Sequence, residues 1–258
     1  MLLSFTKYQG TGNDFIMIDN RNGALKEFSN EIITKLCQRR FGIGADGLIL
    51  ISESKAHSFK MQYHNSDGSR SFCGNGARCA LHFAYQLGMF QKKATFEAID
   101  GIHSGEVLED RVALQMNDVN SWNTKDNDYI IHTGSPHYIR FTTDIKQEDI
   151  TTFGKAIRYS ESFAKEGINV NLVQRKSDHL SMLTYERGVE AETYSCGTGA
   201  TAVALADMLK SQTSGAFKQS IKVKGGDLMV TGTFDNINFS TIYLIGPAEK
   251  VFEGTIEI

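Results

Sequence analysis

The sequence predicts an α+β fold built twice over: two similar halves, each a curved mixed sheet or barrel wrapped around one central helix. Three observations carry that expectation. A Cys-Gly-x-Gly-Ala loop occurs twice, from Cys73 to Ala77 and from Cys196 to Ala200, at an offset of 196 − 73 = 123 residues. Behind each loop lies a helical run, Ala77 to Leu87 in the first case and Ala200 to Leu209 in the second; the second is apolar on nearly every side, as buried helices are. Around both lie short runs that alternate apolar and polar residues, the pattern of half-buried strands.

In chain order, Gly12-Asn13-Asp14-Phe15 is a glycine turn leading into the apolar strand Ile16-Met17-Ile18. A helix starts near Ser29 and turns Ile32, Ile33, Leu36 and Cys37 to one face. Gly42-Ile43-Gly44-Ala45-Asp46-Gly47 has the spacing of a dinucleotide-binding loop. It follows a helix and precedes a strand, the reverse of the context such a loop needs, so it reads as a helix C-cap. Strand-like runs follow at Gly47 to Ile51 and Met61 to Asn65, then the first Cys loop and a helix ending at Gly88. The polar passage Asn117 to Asp128 reads as the connection, giving halves at residues 1–117 and 118–258, with the last strand able to pack back on the first half. The second half then repeats the first. Ser135-Pro136-His137-Tyr138 faces Gly12 to Phe15 at the same offset, since 14 + 123 = 137. Leu183 to Arg187 precedes the second Cys loop as Met61 to Asn65 precedes the first, with Tyr63 and Tyr185 offset by 185 − 63 = 122. That repetition points to a duplicated unit.

A chain of 258 residues can bury a sizeable core. A net charge of −3 without runs of one sign gives no reason to expect a nucleic-acid or membrane partner. The start, Met1 to Lys7, lacks the basic and apolar regions of a signal peptide, and no apolar run nears the ~20 residues that span a bilayer. A soluble, cytoplasmic protein is expected. Four cysteines are too sparse for a disulfide scaffold, and without Cys-x-x-Cys or clustered histidines no metal site is expected. Cys37 and Cys79 read as small buried hydrophobes. His57, His64, His82, His103, His132 and His179 share no motif and read as surface or packing residues.

Cys73 and Cys196 differ, because each precedes a helix inside the same glycine-rich loop. A thiol there sits at the positive end of the helix dipole, which lowers its pKa from ~8.5 toward neutrality. Gly74, Gly76, Gly197 and Gly199 remove Cβ atoms where a ligand must approach the backbone, and a helix start binds carboxylates. Two such loops supply two thiols and two sets of N–H donors for one small carboxylate. That suits proton removal from the α-carbon of an amino acid: donors hold the enediolate, and inversion needs a base on one face and an acid on the other.

The motifs Gly12-Asn13-Asp14-Phe15, Asn65-Ser66-Asp67-Gly68-Ser69, Cys73 to Cys79, Gly134-Ser135-Pro136-His137, Gly167-Ile168-Asn169-Val170, Tyr185-Glu186-Arg187-Gly188-Val189 and Glu192 to Ala200 run in order across nearly the whole chain. Together they closely resemble the diaminopimelate epimerase family. The resemblance implies that family's fold and the interconversion of LL- and meso-2,6-diaminopimelate, a step toward lysine and peptidoglycan precursors, with no cofactor and no metal. It implies Cys73 and Cys196 as the base–acid pair, and the amides of Gly74, Asn75, Gly197 and Thr198 as holders of the reacting carboxylate. His137 and Glu186 match residues that tune the thiols, with Glu186 also meeting the substrate ammonium. Asn13, Asn65, Ser135, Asn169 and Arg187 match substrate contacts, Arg187 gripping the far carboxylate. A homodimer is implied, with Phe252 where an interface Tyr is often found. Ser135 stands where Asn is frequent, making a distal contact shorter or water-bridged. Gly47 replaces a frequent Gln, and Glu190-Ala191 carries one extra residue. None of these departures is expected to touch the thiol pair. A proline or hydroxyproline racemase of the same fold lacks the Tyr-Glu-Arg-Gly combination, and a phenazine-type isomerase does not use the two cysteines. A non-catalytic amino-acid-binding or thiol redox protein is the alternative of a different class.

Overall fold

The computed structural model describes residues 2–23 and 28–258, which form two compact units. The first unit runs to Leu114 and takes in Gly246–Ile258; the second is Gln115–Ile245.

In the first unit, β1 (Leu2–Gly10) and β2 (Asn13–Asp19) form a hairpin turned at Thr11 and Gly12, both at positive φ. β2 pairs in parallel with β3 (Gly47–Ser52), Phe15 opposite Gly47. A parallel pair needs a crossover, and α1 (Asn30–Cys37) supplies it. Ser29 caps α1 by accepting from the Ile32 N–H, and Ile33, Leu36 and Cys37 pack with Leu3, Ile16, Ile18, Leu48 and Leu50. β4 (Phe59–Asn65) runs antiparallel to β3. α2 (Gly74–Gln86) is the second crossover, because β4 and β5 (Lys93–Ala98) pair in parallel. β6 (Gly101–Val107) and β7 (Val112–Gln115) continue antiparallel, and a closing strand, Glu249–Glu257, pairs antiparallel with β1. α2 packs against β1, β2, β3, β4 and β6, with Ala77, Cys79, Ala80, Leu81 and Ala84 fully buried.

The glycine loop after α1 has a structural task. The N–H groups of Gly42, Gly44 and Ala45 donate to the carbonyls of Gln38, Leu36 and Cys37, closing the helix end. A Cβ on Gly42 would lie 2.1 Å from the Lys35 carbonyl oxygen, so only glycine fits.

The second unit begins with the hairpin β8 (Trp122–Lys125) and β9 (Asp128–His132), turned at Asp126 and Asn127 in the left-handed region. β10 (Pro136–Phe141) pairs antiparallel with β9 and parallel with β11 (Asn169–Arg175), across α3 (Ile150–Arg158). β12 (Leu180–Glu186) is antiparallel to β11 and carries the short β13 (Ala191–Glu192) on its end. α4 (Gly197–Ser211) follows; β14 (Gly215–Val223) pairs in parallel with β12, and β15 (Gly226–Phe234) and β16 (Phe239–Gly246) are antiparallel. The order of parallel and antiparallel pairings through β10, β11, β12, β14 and β15 repeats that through β2 to β6. Both halves are thus mixed sheets around one central helix, in an α+β fold.

The passage Asn117 to Asp128 is not a linker. Val119 bridges to Phe239, and the Trp122 ring packs edge-on against Phe234 and Phe239 at 5.9 and 5.6 Å. Those two apolar anchors tie a polar stretch into the second unit. The chain therefore passes between units at Leu114, before the 117–118 division read from composition, and returns at Gly246.

Candidate active site

Cys73 and Cys196 are the N-caps of α2 and α4. Their backbones match, with φ/ψ of −134°/116° and −128°/113°. Each sulfur accepts from the N–H of the third helical residue, Gly76 or Gly199, at 3.4 Å. The helix supplies no i−4 acceptor to its first-turn N–H groups, among them those of Gly74 and Asn75 or Gly197 and Thr198, and this is the end where negative charge is favoured. The other two thiols are inert by position. Burial pushes Cys37 up to about 11 and Cys79 up to about 12.

In the first unit, Asn13 faces Cys73. Its Nδ2 donates to Asp46 Oδ2 at 2.6 Å, which turns Oδ1 toward Cys73 Sγ at 3.5 Å and Asn75 Nδ2 at 3.3 Å. Asp46 comes from the glycine loop that closes α1, so that loop delivers a carboxylate to the site. Behind it, Asp14 receives both Arg39 Nη atoms at 3.2 and 2.6 Å and Lys7 Nζ at 2.7 Å. Burial alone would raise the Asp14 carboxyl; the bonds from Arg39 and Lys7 hold it below the usual carboxylate range. Asn65 ends β4 with Nδ2 donating to the Ser69 carbonyl and to the hydroxyls of Ser69 and Ser71. Arg78, one turn into α2, is fully buried; its Nη2 donates to Thr11 Oγ1 at 3.1 Å and its Nη1 has no hydrogen-bond partner.

In the second unit, Cys196 Sγ lies 3.5 Å from Thr198 Oγ1. Thr198 Oγ1, Ser135 Oγ and His137 Nε2 form a triangle with sides of 3.0, 2.9 and 2.9 Å. Ser135 therefore joins the thiol's surroundings, against the expectation that no departure from the family pattern would approach a thiol. A serine at this position, in the bend before β10, is short enough to bond the ring of His137 two residues on. Asn169 Nδ2 donates to Ser135 Oγ and to the Pro136 carbonyl, both at 3.1 Å, and Asn169 Oδ1 accepts the Arg187 N–H at 2.9 Å. His137 is fully buried, and burial pushes its pKa down to about 3, with electrostatic repulsion from the His132 and Arg187 side chains adding to the shift. Glu186 ends β12, half-buried, and Arg187 after it is exposed, its Nη1 on the Glu166 carbonyl at 2.8 Å. The extra residue of Glu190-Ala191 is absorbed by Glu190 at φ 58°; its carboxylate accepts from Tyr185 and the Gly188 N–H. The Gly47 departure has a steric cause, since a Cβ there would sit 2.4 Å from the Tyr63 ring.

The profile of the family described as diaminopimelate epimerase matches residues 5–122 and 129–251. The chain belongs to the diaminopimelate epimerase family. A diaminopimelate epimerase of Flavobacterium psychrophilum is 49% identical over 97% of this chain and 98% of its own length. One from Aquifex aeolicus is 38% identical over 98% of each. Among solved structures, a phenazine biosynthesis protein of the PhzF family from Bacillus anthracis superposes with a TM-score of 0.75 at 13% identity, covering all of both chains. A hydroxyproline epimerase from Agrobacterium vitis, with bound trans-4-hydroxy-L-proline, gives 0.69 at 12% identity, over 99% of this chain and 92% of that one. At such identities the likeness is one of fold. It agrees with the α+β fold expected from the sequence.

Three polar residues at these helix starts escaped the sequence reading. Asp46 was hidden in a motif set aside as structural. Arg78 was passed over as an ordinary helix residue. Asn171 was missed although strand alternation puts it on the same face as Asn169.

Proposed function

We propose that this chain is a cofactor-independent two-base epimerase that interconverts LL- and meso-2,6-diaminopimelate. Cys73 and Cys196 are its base and acid, one thiol for each face of the α-carbon. A thiolate takes the Cα proton from one side, and the opposite thiol delivers a proton from the other. Configuration is inverted and the roles of the thiols are exchanged, ready for the reverse reaction. Charge that develops on the α-carboxylate is met by first-turn N–H groups of Gly74, Asn75, Gly197 and Thr198. One well-aimed donor of this kind is worth roughly 10²–10³ in rate. His137 and Glu186 tune the thiols, and Glu186 also receives the substrate ammonium. Asn13, Asn65, Ser135 and Asn169 contact substrate, and the fork of Arg187 suits a bidentate grip on the distal carboxylate. No pyridoxal phosphate or metal enters the reaction. With this reading go a cytoplasmic location, a role in making lysine and peptidoglycan precursors, and a homodimer in which Phe252, exposed on the closing strand, lies at the contact. Among the described residues no helix is long and apolar enough to cross a membrane.

The observation that carries the proposal is the pair of matched N-cap thiols, each bonded at 3.4 Å to the third N–H of a buried central helix, in a chain of this family. Packing alone gives no reason to build that arrangement twice. The test is proton NMR of LL-diaminopimelate with purified protein in deuterium oxide, with no cofactor added. Deuterium at Cα and the appearance of the meso isomer are expected. Cys73→Ala and Cys196→Ala should each lower turnover by at least about 10²–10⁴ while leaving the fold intact. Absence of exchange, or near-normal turnover in both single variants, refutes the two-thiol reading. Exchange into proline but not diaminopimelate would move the activity to another amino acid on the same fold.

A further inference from the structure

The polar groups around Cys196 can be given a direction, one bond at a time, starting from backbone carbonyls that can only accept. Asn171 is fully buried on β11, opposite Thr184 on β12. One corner of its amide lies 3.2 Å from the Tyr138 carbonyl oxygen, so that corner is the amino group. The other corner, Oδ1, accepts from the Thr184 hydroxyl at 3.0 Å. The same amino group lies 3.1 Å from His137 Nδ1. A donor facing Nδ1 requires a lone pair there, and a neutral imidazole then carries its proton on Nε2. His137 is neutral because burial pushes its pKa down to about 3.

The argument then runs outward from Nε2. This N–H donates into the pair of hydroxyls on Ser135 and Thr198, each 2.9 Å away. Ser135 has three polar neighbours. His137 Nε2–H is a donor, and Asn169 Nδ2 is a donor because it also serves the Pro136 carbonyl. Only Thr198 Oγ1, at 3.0 Å, can accept the Ser135 proton. Thr198 Oγ1 thus receives from Ser135, and its own hydroxyl proton is left for Cys196 Sγ at 3.5 Å. With the opposite tautomer a bare Nε2 would accept a proton from either hydroxyl, and the Thr198 proton would no longer be committed to the Cys196 sulfur.

The geometry points to Asn171 as a positioning residue that locks His137 in the Nε2–H tautomer and so turns the Thr198 hydroxyl proton toward the Cys196 sulfur. A hydroxyl that donates to sulfur favours the thiolate over the thiol, which is the form a base must take. At Cys73 the group that Asn13 turns to the sulfur is an amide oxygen, an acceptor held in place by Asp46. The two thiols share a helix N–H donor but differ in the side chain beside them, a hydroxyl at Cys196 and an amide oxygen at Cys73. This deepens the two-thiol reading and rests on it for its catalytic meaning, but its test needs no turnover.

Two measurements on the full-length protein decide it. In long-range proton–nitrogen spectra of ¹⁵N-histidine-labelled protein, the ring signals lost in His137→Gln should belong to a neutral imidazole protonated at Nε2, from pH 5 to pH 9. A proton on Nδ1, or an even mixture of tautomers, overturns the assignment without any variant having to fold. Next, iodoacetamide alkylation of each cysteine is followed against pH by peptide mass spectrometry in wild type and Asn171→Ala. Loss of the lock should raise the apparent alkylation pKa of Cys196, slowing its reaction roughly tenfold at neutral pH, as expected for losing one hydrogen bond to a charged group. Cys73 should keep its profile. General loosening would instead speed the alkylation of buried Cys37 and Cys79 along with Cys196, and an unchanged Cys196 profile would remove Asn171 from the chain. Failure of diaminopimelate exchange alongside a verified tautomer would sink the substrate, leaving the lock in place.

Discussion

Burial of His137 ties its protonation to the stability of the second unit. Its folded pKa is about 3, against 6.5 for an unburied histidine. Between those values the unfolded chain takes up a proton that the folded chain refuses, so stability falls as pH drops from about 6.5 toward 3 and is flat above 6.5. The slope from this one ring is about 1.4 kcal/mol per pH unit. Urea unfolding of wild type and His137→Gln at pH 7, 5 and 4 should therefore give a wild-type advantage that shrinks by roughly that amount per unit below pH 6. An advantage that stays constant from pH 7 to pH 4 would mean that the ring takes up its proton without unfolding. The sequence announced His137 through the Gly-Ser-Pro-His motif and announced both cysteines through their repeat. It did not announce Asn171 or Asp46, because their importance lies in which way an amide or carboxylate points. Orientation is decided by partners such as the Tyr138 carbonyl and Asn13, which only the folded chain brings near.

At the scale of the element, the central helices show why some of the fold was readable and some not. α4 is apolar on nearly every side and is buried on nearly every side, from Ala200 to Met208. Its role follows from composition alone. Each helix nevertheless buries one charge: Asp207 of α4, paired with Arg175 at 2.5 Å, and Arg78 of α2, fully buried among Ala77, Cys79 and Leu81. Burial without a carboxylate lowers its pKa, although the nearby thiols Cys79 and Cys73 counteract that shift. The glycine loop after α1 was readable for a different reason: helix-then-strand context excluded a nucleotide site, and the Gly42 contact with the Lys35 carbonyl supplies the positive explanation. Packing predicts where the helices are most sensitive. Leu205 is wholly enclosed at the middle of α4, so Leu205→Ala should cost about 2–5 kcal/mol through lost burial and the cavity left behind. Ser29→Ala at the cap of α1 removes one bond to the Ile32 N–H and should cost about 1 kcal/mol. Denaturant midpoints of the two variants would test the ranking. A Leu205→Ala cost below that of Ser29→Ala would show that α4 is not the centre of its unit.

For the whole molecule, the repeated pairing order hides an asymmetry in how the two units are assembled from the chain. The second unit is one continuous segment, and its three-strand layer β8, β9, β10 comes from consecutive hairpins. The corresponding layer of the first unit is the closing strand, β1 and β2, and its outer member comes from the far end of the chain, with Leu2 opposite Glu257. Sequence reading allowed for a last strand that packs back on the first half. The point of return is marked by the turn dipeptide Gly246-Pro247, a signal the sequence reading passed over. Closing a loop of this length loses chain entropy before any pairing compensates, and such non-local contacts form late. Arg78 adds to the dependence on the far end of the chain, since its Nε donates to the Pro247 carbonyl at 3.5 Å. Pulse-labelled hydrogen exchange during refolding should therefore protect amides of β10, β11 and β12 before those of β1. In a chain truncated after Gly246, the β1 amides that face the closing strand should stay unprotected while those bonded to β2 are kept, and the bare strand edge should show as aggregation. Protection of β1 at the same time as β11 in the intact chain would mean that the two ends meet early and that the first unit does not wait for its last strand.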